Sequence, residues 1–495
     1  MSVRLVKVRD SKSLPDLKPR SAAAIERIPM EIWYHILSFI PEHYRRFLRG
    51  VNRFLHEIAL DEMYKEIRLT TRNATNFVRA DRNQILRHRV RHISIQPEFF
   101  PETLYPPFIP TVPVRKSRLC FPSFFKKWYA RKSRVWKCPY PTPENNLDEL
   151  EIAGESLAGF SKLKQVNITI YSVDPSPSFS PFLKTLWVTR GHLLQTLSVN
   201  LTPEKMAIVL DPTMATELSC LTTFELRFRD SHIPDYRYYN RPIIRSTLLP
   251  FAQALRETLT SLTIYPCSQT YLGEFFKAVG NFPELKKLNL GILICEHAYA
   301  MEEWEPPMNF VDRHGASVED LTIHKALPGE STHSPWVHHR FAHHFLPAVR
   351  RLCIDVYYMR HGSGISRKAR RTPTNPEMLR ALHTLVFADV VLDQDKVREN
   401  LPISGKFLRR LELTVDYITA KFMNALVATT PQLEELRLQY QYTMEEQSRT
   451  PFSTEMEMER VTGYPDWKIR YLRIALHSEK CPEGHASEEW MQLIA

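Results

Sequence analysis

Along the chain a six-residue segment recurs that is apolar at its first, fourth and sixth places: VRHISI (90–95), LKQVNI (163–168), LQTLSV (194–199), LTTFEL (221–226), LTSLTI (259–264), LKKLNL (285–290), VEDLTI (318–323), VRRLCI (349–354), LHTLVF (382–387), LRRLEL (408–413), LEELRL (433–438) and IRYLRI (469–474). Three apolar places in six are common in globular sequences, so the context has to make the recurrence informative. FPELKKLNL, LPAVRRLCI and TPQLEELRL share a proline two residues before the first apolar place, the anchor, and charged residues between the first two apolar places. From Leu163 onward consecutive anchors stand 25 residues apart at the closest, Leu408 to Leu433, and 38 at the widest, Leu221 to Leu259. Such a step accommodates one strand and one returning helix. LDELEI (147–152) fits the pattern as well but lies 16 residues before Leu163 and has no clear place in the series.

The stretches YLGEFFKAVGNF (271–282) and TAKFMNALVATT (419–430) carry helical periodicity just ahead of a new segment, so one repeat reads as helix, proline-marked turn, strand. Stacked copies align their strands into a parallel sheet and their helices on its other face, which makes an α/β solenoid. This resembles the leucine-rich-repeat architecture. The Asn or Cys expected eight residues after each anchor is nearly absent, with Cys267 the one clear match. The repeats are therefore expected to be irregular, with turns satisfied by other means; the competing reading is a non-repetitive α/β domain.

At 495 residues the chain exceeds a single small core, and 43% hydrophobic with 24% charged residues is ordinary globular usage. Only 14 glycines against 36 prolines argue against a glycine-built phosphate-binding fold and for many rigid turns. The net charge of +11 is the residue of 66 cations and 55 anions, so its distribution matters more than its total. Seven scattered cysteines (Cys120, Cys138, Cys220, Cys267, Cys295, Cys353, Cys481) include no C-x-x-C pair, which points to a reducing compartment rather than a disulfide framework or zinc ribbon. No apolar run approaches the ~18 residues of a membrane span, and MSVRLVKVRDSKSLPDLKPR has no apolar signal core. The expected location is cytoplasmic, nuclear or both.

Near the start, IERIPMEIWYHILSFI places Ile28, Ile32, Ile36 and Ile40 four residues apart, with Trp33 and Leu37 beside them. This spacing predicts a helix, with Pro29 in its first turn, Glu31 at the positive end of its dipole and Pro41 as its stop. EHYRRFLRGVNRFLHEIAL continues helical spacing through Tyr44, Phe47, Leu48, Val51, Phe54, Leu55 and Ile58, which predicts a second helix, and MYKEIRL a third short element. The first helix is apolar over more than one face, through Trp33, Ile36, Leu37, Phe39 and Ile40. The excess faces either the next domain or a partner.

The run Ile28-Pro29-x-Glu31-Ile32-x-x-x-Ile36-Leu37-x-Phe39-Ile40-Pro41, followed ten residues later by Val51-Asn52-Arg53-Phe54, resembles the F-box, the module by which substrate receptors dock on the adaptor of SCF ubiquitin ligases. It covers residues 25–69, after a flexible arm over 1–24. Ile28 stands where Leu is usual, Gly50 where a larger apolar residue is common, and Asn52 for the frequent Cys or Ser. Inside a helix Gly50 would cost about 0.5–1 kcal/mol relative to Ala. The resemblance implies an adaptor-binding set of Ile28, Pro29, Glu31, Ile32, Ile36, Leu37, Ile40, Val51 and Phe54. It also implies a cullin-RING scaffold reached through the adaptor, and an unidentified protein substrate held by the repeat domain at 70–495.

Two insertions interrupt the array. Residues 98–146 are rich in proline and aromatics, and no acidic residue occurs between Glu102 and Glu144. Within them Arg115, Lys116, Arg118, Lys126, Lys127, Arg131, Lys132, Arg134 and Lys137 interleave with Phe124, Phe125, Trp128, Tyr129 and Trp136. Such a surface grips a nucleic-acid backbone and stacks its bases, or holds an acidic peptide, or is a long solvated loop. A nucleic-acid-binding or other scaffold solenoid using 115–137 is therefore the alternative function. RHGSGISRKARRTPTNP (360–376) is a second, basic loop, and SRKARR within it reads either as a nuclear import patch or as a solvated run.

No G-x-x-x-x-G-K-[ST], G-x-S-x-G, H-E-x-x-H or G-x-G-x-x-G motif occurs. His339 and His343 share one helix face in HSPWVHHRFAHHF, without a third ligand nominated, and read as a solvated face rather than a metal site. The expectation is a non-catalytic chain with no cofactor and no membrane partner.

Overall fold

A computed structural model describes residues 28–70, 87–96, 153–154, 156–170, 179–229, 240–267, 270–293, 300–328, 346–359, 368–369, 381–392, 397, 405–415, 418, 420–440 and 467–476. Three helices lead: α1 (Met30–Ser38), α2 (Glu42–Arg45) and α3 (Arg53–Tyr64). The strands follow as β1 (Glu66–Thr70), β2 (His92–Gln96), β3 (Gln165–Ile170), β4 (Thr196–Leu201), β5 (Thr223–Phe228), β6 (Ser261–Tyr265), β7 (Lys287–Leu293), β8 (Asp320–Pro328), β9 (Arg351–Met359), β10 (Lys368–Ala369), β11 (Thr384–Leu392), β12 (Arg410–Val415), β13 (Glu435–Tyr440) and β14 (Tyr471–Leu476). They form one parallel sheet in chain order, with the two-residue β10 beside β11 and off the main path.

Every recurring segment is a strand that begins at its third place. The fourth-place residues stand in one row across the sheet, from Ile93 through Val166, Leu197, Phe224, Leu262, Leu288, Leu321, Leu352, Leu385, Leu411 and Leu436 to Leu472. This register identifies the repeats as equivalent and excludes a non-repetitive α/β domain. Because side chains alternate along a strand, the fourth and sixth places face one way and the third and fifth the other. The inward set is the core: Leu163, Val166 and Ile168, or Leu433, Leu436 and Leu438, are each under 2% exposed. Each such side chain contributes about 1.5–3 kcal/mol by burial, so the small pattern, repeated, stabilises the array.

The turns explain both the prolines and the missing Asn ladder. At Leu285, Val349 and Leu433 the anchor N–H donates to the carbonyl three residues back, on Phe282, Leu346 and Thr430, at 3.2, 3.2 and 3.1 Å. Pro283, Pro347 and Pro431 thus occupy the second turn position, where a fixed φ near −65° is favourable. The second-place carbonyl of each repeat then accepts two N–H groups from the next. Lys286 O takes Glu319 N and Asp320 N at 2.8 and 3.0 Å, Glu319 O takes Arg350 N and Arg351 N, and the pattern runs from Lys65 to Glu434. A backbone ladder closes the strand entries without side-chain amides. Cys267 closes its own turn, with Sγ 2.9 Å from Thr270 Oγ1. Where repeats approach most closely the turn begins with glycine: a Cβ on Gly405 would lie 2.3 Å from Thr429 O, and on Gly191 2.7 Å from Glu217 O.

Between strands lie α4 (Phe179–Arg190), α5 (Gly273–Ala278), α6 (Ala300–Arg313) and α7 (Ala420–Thr429), among others. The last three fall where helical periodicity precedes a strand or, for α6, in the same place in its repeat. Phe275 and Phe276 are buried on α5, and Phe276 meets Phe310 of α6 with ring centroids 5.4 Å apart, while α7 buries Phe422, Met423 and Leu426.

Candidate partner-docking site

α1 begins because Pro29 leaves no donor to satisfy and its carbonyl accepts from Ile32 and Trp33 at 3.1 and 3.3 Å. Its apolar stripe does not serve the molecule's own core. Leu37 alone in the helix is buried, Trp33 is half-buried, and Ile32 and Ile36 face solvent at 49% and 38% exposure, with Met30 and Tyr34 exposed beside them.

The chain after Pro41 is not one continuous second helix. α2 is followed by a 3-10 turn at Leu48–Gly50, and the backbone extends at Asn52, whose φ is −156°. Asn52 Oδ1 accepts the Leu55 N–H at 2.7 Å, capping α3. The side chain offers the amide what a continuing helix would have offered, so the helix restarts there. Gly50 sits in the turn, with nothing within 4 Å of where a Cβ would stand, so the cost expected inside a helix does not arise. MYKEIRL is likewise not a third helix: Met63 and Tyr64 end α3, and Glu66–Thr70 is β1, paired with β2 from Glu66↔His92 to Thr70↔Gln96.

These breaks turn apolar side chains outward. Among the described residues the exposed large hydrophobic side chains are Met30, Ile32, Tyr34, Ile36, Phe39, Tyr44, Phe47, Val51 and Met63 on this module, against Val188, Phe407 and Tyr471 in the whole of the repeats. Of the residues expected at the docking face, Ile32, Ile36 and Val51 are exposed apolar groups, and Pro29 and Glu31 are exposed beside them. Ile28, Ile40 and Phe54 are half-buried, Phe54 lying edge-on to Tyr34 at 5.4 Å, and Leu37 is internal. Met30, Tyr34, Phe39, Tyr44, Phe47 and Met63 enlarge the face beyond that set. Phe39 and Phe47 were visible as apolar residues, but their outward aim depends on the breaks at Pro41 and Asn52.

Ion pairs hold the module on the sheet. Arg89, just ahead of β2, reaches back to Glu57 and Asp61 of α3 and donates through Nη1 to Glu57 O at 3.0 Å. Burial works against the Arg89 charge, and its hydrogen bonds to Glu57 and Asp61 outweigh that and raise its pKa. Lys65 joins Glu42 of α2 and, at 2.7 Å, Glu62 of α3. The hydrogen bond from Lys65 holds the Glu42 carboxyl below the usual carboxylate range.

The basic set Lys126, Lys127, Trp128, Tyr129, Arg131, Lys132, Arg134 and Trp136 lies outside the described residues, as do His339, His343 and LDELEI. So does the loop 360–376, apart from Lys368 and Ala369. Among the described residues no group of three or more His, Cys, Asp and Glu stands ready to hold a metal ion, and no helix is long and apolar enough to cross a membrane.

Fold and site together define an irregular α/β solenoid of leucine-rich-repeat-like construction with an apolar-faced helical module at one end. No family model and no curated protein matches the sequence. Solved structures do match, among them the crystal structure of the Rad7 and Elc1 complex in yeast, at 13% sequence identity and a TM-score of 0.35, covering 90% of this chain and 100% of that chain. At that score the likeness carries no argument about function.

Proposed function

We propose that the chain is a non-catalytic substrate receptor of a cullin-RING ubiquitin ligase. Residues 25–69 dock as an F-box on an adaptor, the adaptor joins a cullin scaffold with its RING subunit, and the repeats hold a protein substrate. The observation that supports this best is the concentration of exposed apolar side chains on α1, α2 and the α3 entry, beside repeats whose outward strand positions are polar apart from Cys353, Val386 and Tyr471. Exposed apolar side chains gathered on one module of a folded chain mark an interaction site. The receptor then works by proximity, raising the effective concentration of substrate lysines near the activated thioester.

The test is capture of purified adaptor by the full chain. Ile36→Asp combined with Pro29→Ala alters exposed positions only and is expected to abolish capture while the thermal transition of the repeats is retained. Undiminished capture would remove the docking assignment.

A further inference from the structure

The strand-entry rim carries a feature that the docking face does not use. Between the repeats of β8, β9, β11 and β12 lies a cleft of about 420 Å³. Its apolar lining is Ala316, Pro347, Ala348, Ala381 and Phe407, and Phe407 is 56% exposed with the repeats' own core already filled. Its polar lining is Arg350, His383, Glu319 and Ser317. The backbone ladder fixes this order: Arg350 N donates to Glu319 O and His383 N to Arg350 O, each at 2.8 Å, so consecutive second-place residues project side by side.

The same row continues with Lys286 before the cleft and Arg409 after it. Arg409 approaches Glu434 at 4.0 Å, whereas Arg350 and Lys286 have no ionic partner among the described residues. An exposed aromatic ring and an unpaired guanidinium at one concavity are the combination that dominates binding energy at protein interfaces. A nucleic-acid track fits less well, since a continuous phosphate backbone carries a charge at every step and would have to pass Glu319 in the cleft and Glu434 on the row, whereas a short segment can set its few carboxylates against the cations and its apolar side chain beside Glu319.

We propose that this cleft captures a short acidic segment of a protein partner, seating one apolar side chain against Pro347 and Phe407 while flanking carboxylates meet Arg350, Lys286 and Arg409. The inference rests on the receptor reading in taking that segment for part of a substrate. The binding itself is independent of the adaptor, so each can fail without the other.

The experiment pans a displayed library of random short peptides on the immobilised full chain without adaptor, and titrates the enriched peptides by fluorescence anisotropy. The expected outcome is enrichment of peptides with several Asp or Glu around an apolar residue. Arg350→Glu and Phe407→Asp should each weaken their binding by about tenfold or more, whereas Arg91→Glu, on the same rim at the β2 entry, changes it less than about twofold. Circular dichroism confirms that the variants remain folded. The proposal is overturned if nothing enriches, if the enriched peptides are not acidic, or if both cleft variants bind as the parent does. It is also overturned if a single-stranded oligonucleotide binds the rim through Arg350 with no contribution from Phe407.

Discussion

His314 shows how one buried polar side chain ties two repeats together. The residue is 3% exposed. Nε2 accepts the Phe282 N–H at 2.9 Å, so that nitrogen is bare, and Nδ1 donates to Phe310 O at 2.8 Å. Burial depresses its pKa; the hydrogen bond to Phe310 pulls the other way, and the charge of Arg313 adds to the lowering. Protonating Nε2 would set two donors against each other inside the core. The unfolded chain titrates this imidazole near 6.5, above the folded value, so the unfolded state binds more protons as the pH falls. The resulting stability is complete above about pH 6.5 and is lost as the pH drops through the folded pKa. The melting temperature is therefore expected to fall on acidification below that point. His314→Gln should melt lower at neutral pH, by the equivalent of about 1–3 kcal/mol, with a shallower acid slope; a slope parallel to the parent's would clear His314 of the effect.

At the scale of elements, the break between Gly50 and Arg53 decides which side chains face out. Asn52 makes it by capping α3, so Asn52→Ala is expected to cost about 1 kcal/mol. The measurement is amide exchange at Leu55, whose N–H loses its 2.7 Å acceptor. Exchange should accelerate in Asn52→Ala and return toward the parent rate in Asn52→Ser, whose hydroxyl can cap in its place. The break was hard to read from sequence because Phe47, Leu48, Val51, Phe54 and Leu55 keep three- and four-residue spacing straight through it. Periodicity alone does not separate one helix from two that share a direction, and the cap residue was the available signal. β1 was hidden differently. Tyr64, Ile67 and Leu69 stand at the first, fourth and sixth places, but α3 runs directly into them with no proline to mark a turn. β10, two residues inside the stretch read as a basic loop, carries no such pattern, whereas the twelve strands β2–β9 and β11–β14 were legible because the core requires the same three places every time.

At the scale of the whole molecule, β1 makes the helical module a structural part of the array. Leu69 is buried, Ile67 packs against the core, and the two pair with Ile95 and Ile93 of β2. Arg89 clamps α3 from the β2 side, and Lys65 O accepts both Arg91 N and His92 N at 2.8 and 2.9 Å. In a quasi-one-dimensional array every repeat depends on its neighbours, and the terminal one needs a cap. Removing residues 1–70 would leave β2 with one neighbour, an open row of backbone donors and acceptors, and newly uncovered faces of Ile93 and Ile95. Such an edge is a template for pairing with another chain. A chain beginning at residue 71 is therefore expected to melt at lower temperature than the intact chain and to self-associate, read by differential scanning calorimetry and by sedimentation. Ile36→Asp with Val51→Asp, which touches only the outer apolar face, should leave both readings unchanged. If the truncated chain melts with the intact one and stays monomeric, the helices are a separable module after all. If it does not, any loss of partner binding on truncation would report unfolding of the first repeats, and only the surface substitutions would separate the proposed docking role from folding.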